Sequence, residues 1–297
     1  DEAIALREAG FDRRIVLLEG LFGPDDINLV GGYRLDVVIH HDSQLQWLAR
    51  GHLLRPLDVW LKIDTGMHRL GFDPQRISDI AAHLRQIPQV ASVRYMTHFS
   101  CADELENPDT RLQIDAFNQA VAAGDGERSL ANSAAILGWP AARAEWVRPG
   151  IMLYGSSPLG GRTAESLGLR PVMTFSTRLI AVNTRKQGDA IGYGGDWRCP
   201  SDMTIGVAAI GYGDGYPRHA PAGTPLRVNG HAASLVGRVS MDMITIDLRD
   251  VTNAQVGDEV ILWGEGMPVD EVAASATTIS YELFCGVGSR VQFDYSA

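Results

Sequence analysis

The sequence predicts an α/β protein: a (β/α)8 TIM-type barrel, its first two strands apparently missing, followed by a mostly antiparallel β domain. Three observations predict it. Strand-like and helix-like segments alternate over the first 155 residues, as parallel βα units require. After about residue 165 the chain turns to long runs of β character punctuated by glycines, with Asn229-Gly230 as a two-residue hairpin signal. The first half shows six strand segments and opens on a helix, whereas a closed barrel needs eight strands. The expected division is residues 1–160 for the partial barrel and 161–297 for the β domain.

In chain order, the expected strands are RIVLLEG (14–20), DVVIHH (36–41), DVWLKID (58–64), SVRYMTHFS (92–100), RSLANSA (128–134) and EWVRPGIMLYG (145–155). The helix QLQWLAR stops at Gly51, read as a C′ glycine. DPQRISDIAAHLRQI has Asp73 as N-cap with Pro74 behind it, and the next helix runs from Asp109 to Gly124. GGRTAESLGLRP (160–171) is a turn-rich linker. The β runs that follow are VMTFSTRLIAVNTR, MTIGVAAIG, TPLRVNG-HAASLVGRVSMDMITIDL and DEVILWGEG, and PVDEVAASA (268–276) is a short helix. The chain shows no internal repeat and no low-complexity tract.

Of the 297 residues, 45% are hydrophobic and 21% charged, which is ordinary for a soluble globular protein. A net charge of −10 without a basic run speaks against nucleic acid or an anionic membrane as partner. Three widely spaced cysteines make no metal or CxxC pattern and suit reduced thiols in a cytoplasmic protein. No apolar run reaches transmembrane length, and no secretory signal is visible. DEAIALREAG, without an initiator Met, reads as the interior of a longer sequence.

In βα barrels chemistry gathers where strands end. Here those ends carry Lys62, Asp64 and Arg69; His98 and Ser100; Asn132 and Ser133; Arg148 and Pro149-Gly150-Ile151. Lys62 is one of only two lysines, with Lys186. Period-two alternation puts Val59, Leu61 and Ile63 on one face and Trp60, Lys62 and Asp64 on the other. The charged face then points into the barrel. Ser133, Gly150 and Ile151 offer a hydroxyl and backbone N–H groups for an anion. A kink at Pro149-Gly150 is the plainer reading of that pair. No GxGxxG, P-loop, GxSxG or zinc spacing is present, so no metal is expected.

LKIDTGMHRLG, MTHFSCAD, ANSAAI, WVRPGIMLYG, GYGGDW, GYGDGYPR and GRVSMDM, in this order, strongly resemble the alanine racemase family, isomerases that use pyridoxal 5′-phosphate (PLP). The resemblance spans essentially the whole chain. It implies that Arg148 faces the PLP pyridine nitrogen and that His98 stacks behind the ring. By the same resemblance Ser133, Gly150, Ile151 and Tyr281 hold the phosphate, and Arg69 lies near the phenolic oxygen and the substrate carboxylate. Met241, Asp242 and Tyr212 contact substrate from a partner subunit, in a homodimer with shared sites. Tyr193 is the catalytic base on the L face; its unperturbed pKa of about 10 needs nearby positive charge to serve. Lys62 matches a position that family members can carry carbamylated, the carbamate holding Arg69; a plain Lys62–Asp64 contact is the alternative. The family's Schiff-base lysine sits in a segment like VKANAYGHG, which is absent here. The resemblance therefore implies an active D-alanine-forming enzyme for cell-wall precursors or alanine catabolism, but an inactive chain if these residues stand alone. A racemase of other amino acids and an inactive PLP-binding remnant remain alternatives, as does a sugar- or peptide-binding β domain.

Overall fold

Six apolar segments of the first half pair side by side in chain order, all parallel, in a single six-stranded sheet. The computed structural model describes residues 1–122 and 124–295. It divides into two compact units, Asp1–Gly150 and Ile151–Ala297.

The first unit runs α1 (Glu2–Glu8), β1 (Val16–Leu17), α2 (Asp26–Gly32), β2 (Asp36–Ile39), α3 (Asp42–Arg50), β3 (Leu57–Lys62), α4 (Ile77–Gln86), β4 (Val90–Met96), α5 (Asp109–Ala120), β5 (Arg128–Asn132), α6 (Ser133–Gly138) and β6 (Trp146–Arg148). The expected alternation is there, but every strand stops sooner than the apolar runs suggest. Residues 151–154, expected as strand, form a 3₁₀ turn. The chain must leave the ladder to build the polar loops at the strand ends. The six strands expected are all present, but they form an open half-barrel with β1 and β6 as its two edges and not a closed barrel.

The helices cover one face. Ile77, Ile80, Ala81 and Leu84 of α4 recur at helical spacing and are buried. Asp73 does accept the Gln75 N–H, but Pro74–Arg76 is a 3₁₀ turn and the α-helix proper begins at Ile77. Gly51 ends α3 in extended conformation (φ −69°), so it is no left-handed cap as expected. The helix expected over 109–124 ends at Ala120, and Ala123 lies outside the described residues.

On the other face Val38, Trp60 and Met96 are buried together, with Val16 and Trp146 against them. The Trp60 and Trp146 rings meet edge to face at 5.7 Å. These rings stand on β3 and β6, which a flat sheet would hold roughly 14 Å apart. The sheet is therefore curled about this aromatic centre. Arg14, bonded to Asp36 and Asp58, and Arg94, bonded to Glu127, ring the same interior.

The second unit runs β7 (Phe175–Arg185), β8 (Ala190–Ile191), β9 (Trp197–Arg198), β10 (Met203–Ala208), β11 (Pro225–Val228), β12 (His231–Val236), β13 (Ile244–Asp247), β14 (Glu259–Trp263), α7 (Val269–Ser275) and α8 (Ser280–Gly286). Six strands close an antiparallel barrel in the order β10-β13-β12-β11-β14-β7. Leu226, Val228, Leu235, Ile246, Val260 and Leu262 fill its core. Asn229 (φ 48°) and Gly230 (φ 76°) make the hairpin turn expected of them. Among the described residues, no helix is long and apolar enough to cross a membrane.

Candidate active site

The ends of β3, β4 and β6 open on a cavity of about 310 Å³ lined by Leu18, Glu19, Lys62, Arg69, Leu70, Met96, Thr97, His98 and Arg148. Parallel strands bring their C-terminal ends to one edge, which is why residues so distant in sequence meet there.

Arg148 is the best anchored of them. Its Nη1 donates to the Ser129 carbonyl (2.9 Å) and hydroxyl (2.6 Å), and its Nη2 to the carbonyls of Thr97 (2.6 Å) and Leu130 (3.2 Å). All four acceptors are neutral, and no carboxylate pairs with it among the described residues. Burial lowers its pKa to about 10, which leaves it a cation at neutral pH. His98 is pushed down to about 4 by burial first, with Arg148, Arg69 and Lys62 adding to it. It is thus a neutral imidazole near pH 7. Lys62 is 9% exposed. Its pKa is lowered by burial and then by Arg69 and Arg148, against the opposing pull of Asp64 and Glu19.

Ser133 and Gly150 also come together: the Gly150 N–H donates to Ser133 Oγ at 2.8 Å. Asn132 is the N-cap of α6, accepting the Ala135 N–H at 3.0 Å. Asp64 departs from expectation. β3 ends at Lys62, and Asp64 turns its carboxylate onto its own loop, accepting N–H bonds from Gly66 (3.0 Å) and His68 (2.9 Å). It lines a different surface cavity, with Thr65, Gly66 and His68. Among the described residues no ion pair joins Lys62 to Asp64, whose charge still opposes the lowering of the Lys62 pKa.

In the second unit, Tyr193 stands on a 3₁₀ turn between β8 and β9 and is 67% exposed. Arg238 Nε holds Asp196 of that turn at 2.6 Å. The same 237–243 segment continues to Met241 (52% exposed) and Asp242. Tyr212 (41% exposed) is tied to it through its N–H to the Ser240 carbonyl (3.0 Å), and Gly213 N–H reaches the Met241 carbonyl (2.8 Å). An added Cβ on Gly211 would lie 2.3 Å from the Ser240 carbonyl oxygen, so only glycine allows this approach. Tyr281 lies on α8, and Ile151 is buried at the start of the Ile151–Tyr154 turn.

The sequence reading missed Thr97, whose carbonyl mounts Arg148, and Glu19, the one acid lining the cavity. Glu19 stood in RIVLLEG, just past a strand, and that position was its signal. Arg290, which bonds Asp242 at 2.6 Å, carried no signal at all.

A curled βα sheet with Lys62, Arg69 and Arg148 in a cavity at its strand ends, joined in sequence to a closed antiparallel barrel, defines a two-domain α/β class of protein with a cationic cavity. The family model for the alanine racemase N-terminal domain matches residues 1–158, and that for the C-terminal domain matches residues 172–295. The chain belongs to the alanine racemase family, which depends on PLP. It is 53% identical to the alanine racemase of Nitrosococcus oceani over 98% of this chain and 82% of that protein. The crystal structure of the biosynthetic alanine racemase of Pseudomonas aeruginosa superposes with a TM-score of 0.97 at 47% identity, covering 100% of this chain and 83% of that one. The alanine racemase of Bartonella henselae, solved with covalently bound pyridoxal phosphate, matches at 25% identity and a TM-score of 0.86 over 97% and 81% of the two chains.

Proposed function

We propose that this protein takes part in the PLP-dependent interconversion of L- and D-alanine by two-base proton transfer at Cα. The observation that carries it is Arg148, a half-buried guanidinium mounted on neutral oxygens in a cavity shared with a neutral imidazole. The donor set fits the cofactor: a cation without an acid partner for a ring nitrogen, a flat neutral ring, and Ser133 with Gly150 nearby for an anion. A Cβ added to Gly150 would meet only Ser133 Oγ, at 3.8 Å, so the backbone there is open to a ligand. Because the Gly150 N–H already bonds Ser133 Oγ, an anion bound there must share or replace that bond.

When bound, PLP supplies an electron sink for the pair left at the substrate Cα. Arg148 keeps its own proton and so would leave a ring nitrogen facing it unprotonated. That weakens the sink and favours return of the proton over transamination. Ser133, Gly150, Ile151 and Tyr281 would bind the phosphate, and Arg69 would orient the substrate carboxylate. Tyr193 would hold and return the proton on the L face, with the cationic Arg148 behind the neutral His98 as the nearby positive charge. Tyr193, Tyr212, Met241 and Asp242 are exposed in the chain described, and in this reading they serve the cavity of a second subunit in a homodimer. Lys62, with its lowered pKa, would react with carbon dioxide to give a carbamate and a released proton, the anion then lying against Arg69. The three cysteines are free thiols, which suits a reducing cytoplasm.

Neither lysine matches the family's cofactor-binding position: Lys62 lines the cavity, and exposed Lys186 pairs with Asp202 at 2.7 Å. The 297 residues alone are therefore expected to bind PLP without racemising alanine. Titration with PLP, polarimetry on L-alanine and sedimentation test the reading together. Absence of PLP binding, or binding unchanged in Arg148→Ala, would overturn it. PLP attached to Lys62 after borohydride reduction, seen by peptide mass, would instead make Lys62 the cofactor lysine.

A further inference from the structure

Arg69 makes no hydrogen bond or ion pair among the described residues, yet it lines the cavity with Lys62 and His98. Something other than its own guanidinium must place it. The chain between Lys62 and Phe72 is a loop closed at its neck. Phe72 N–H donates to the Lys62 carbonyl and Asp64 N–H to the Phe72 carbonyl, both at 2.9 Å. Gly71 (φ 129°) permits the closure, since a Cβ there would lie 2.6 Å from the Asp64 nitrogen.

Asp64 fills the inside of this loop. Besides the Gly66 and His68 N–H groups, its carboxylate meets His68 Nδ1 at 3.2 Å. His68 adopts a left-handed φ of 55°, uncommon for a residue with a side chain. The carboxylate holds the residue just before Arg69 in that conformation. A second tie runs through Thr65 Oγ1, 2.7 Å from Thr97 Oγ1, which itself donates to the Ile63 carbonyl at 2.9 Å. The Thr97 carbonyl is one of the mounts of Arg148. The loop that carries Arg69 is thus keyed to the seat of the other cavity arginine.

We propose that Asp64 is a positioning residue: its carboxylate shapes the 64–71 loop that sets Arg69 against Lys62 and His98, and so governs the affinity of the cavity for a phosphate- or carboxylate-bearing ligand. The ligand side of this proposal rests on the reading of the cavity as a PLP site.

Two measurements on the full chain test it. Backbone ¹⁵N relaxation over residues 66–70 should show the loop mobile in Asp64→Ala and ordered in Asp64→Asn, whose amide oxygen keeps both backbone acceptor bonds. An equally ordered loop in Asp64→Ala overturns the proposal. PLP affinity, read by tryptophan fluorescence, should weaken about two- to tenfold in Asp64→Ala, the scale of one side chain left to be ordered on binding. In an Arg69→Ala background the same change should cost nothing further. Additive losses would show that Asp64 acts through the general fold and overturn the proposal. If no variant binds PLP, the cofactor reading fails while the relaxation result still decides the role of Asp64. Should Asp64→Ala lose its circular dichroism spectrum, Asp64→Ser takes its place in both comparisons.

Discussion

The two units place their chemistry differently. In the first, the key groups are sunk into a cavity: Lys62 is buried, and half-buried Arg148 is held by the carbonyls of the sheet. In the second, Tyr193, Tyr212 and Met241 stand out on turns anchored from behind by backbone bonds and the Arg238–Asp196 pair. The difference teaches that a parallel sheet gathers polar ends into a low-dielectric pocket, where pKa values move. A closed antiparallel barrel spends its interior on apolar packing and exports function to its loops.

The sharpest way to break that comparison is to hollow each core. Trp60→Ala and Trp263→Ala each remove a ring buried to 2% exposure or less and are expected to cost about 3–5 kcal/mol in denaturant unfolding. Only Trp60→Ala should also weaken PLP binding, since Trp60 lies in the same strand as Lys62. Equal loss of PLP binding in both would erase the distinction.

Arg148→Ala comes next. It leaves the Thr97, Ser129 and Leu130 carbonyls without their shared donor, a loss expected to be about 3 kcal/mol. PLP binding should vanish, and stability alone changing would place the cofactor elsewhere.

A smaller effect follows from His98. Its pKa falls from 6.5 to about 4 on folding, so between these values the unfolded chain binds more protons than the native one. His98 therefore costs no stability above pH 6.5 and destabilises progressively as pH falls toward 4. Unfolding measured from pH 7 to 4 should show a shallower decline in His98→Gln. A curve of unchanged slope would mean that the imidazole is not desolvated.

The smallest effect belongs to the second unit. Tyr193→Phe should leave unfolding free energy within about 0.5 kcal/mol, as for surface sites in general. A larger loss would mean that Tyr193 is a structural residue and not an exported functional one.

Much of the cavity was legible before any coordinates. Strand ends of a parallel sheet share one edge, and Lys62, Arg69, His98 and Arg148, all at or just past such ends, line one cavity. Asp64 was misplaced, since alternation says nothing about where a ladder ends; the bonds from Gly66 and His68 pulled it into the loop. Gly51 was misjudged as well, because a glycine permits a left-handed cap without requiring one. The short helix α8, which carries Tyr281, lacked the periodic apolar stripe that would have announced it.

Sequence alone determined the alternation of elements, the change of class midway, the Asn229-Gly230 turn and which residue types gather at strand ends. These follow from local periodicity and backbone preference, which each segment carries by itself. Only the tertiary structure decided the six-strand curl around Trp60 and Trp146, the neutral state of His98 and the carbonyl seat of Arg148. Those depend on burial and on contacts between segments far apart in the chain, where desolvation and shared hydrogen bonds have no local signature.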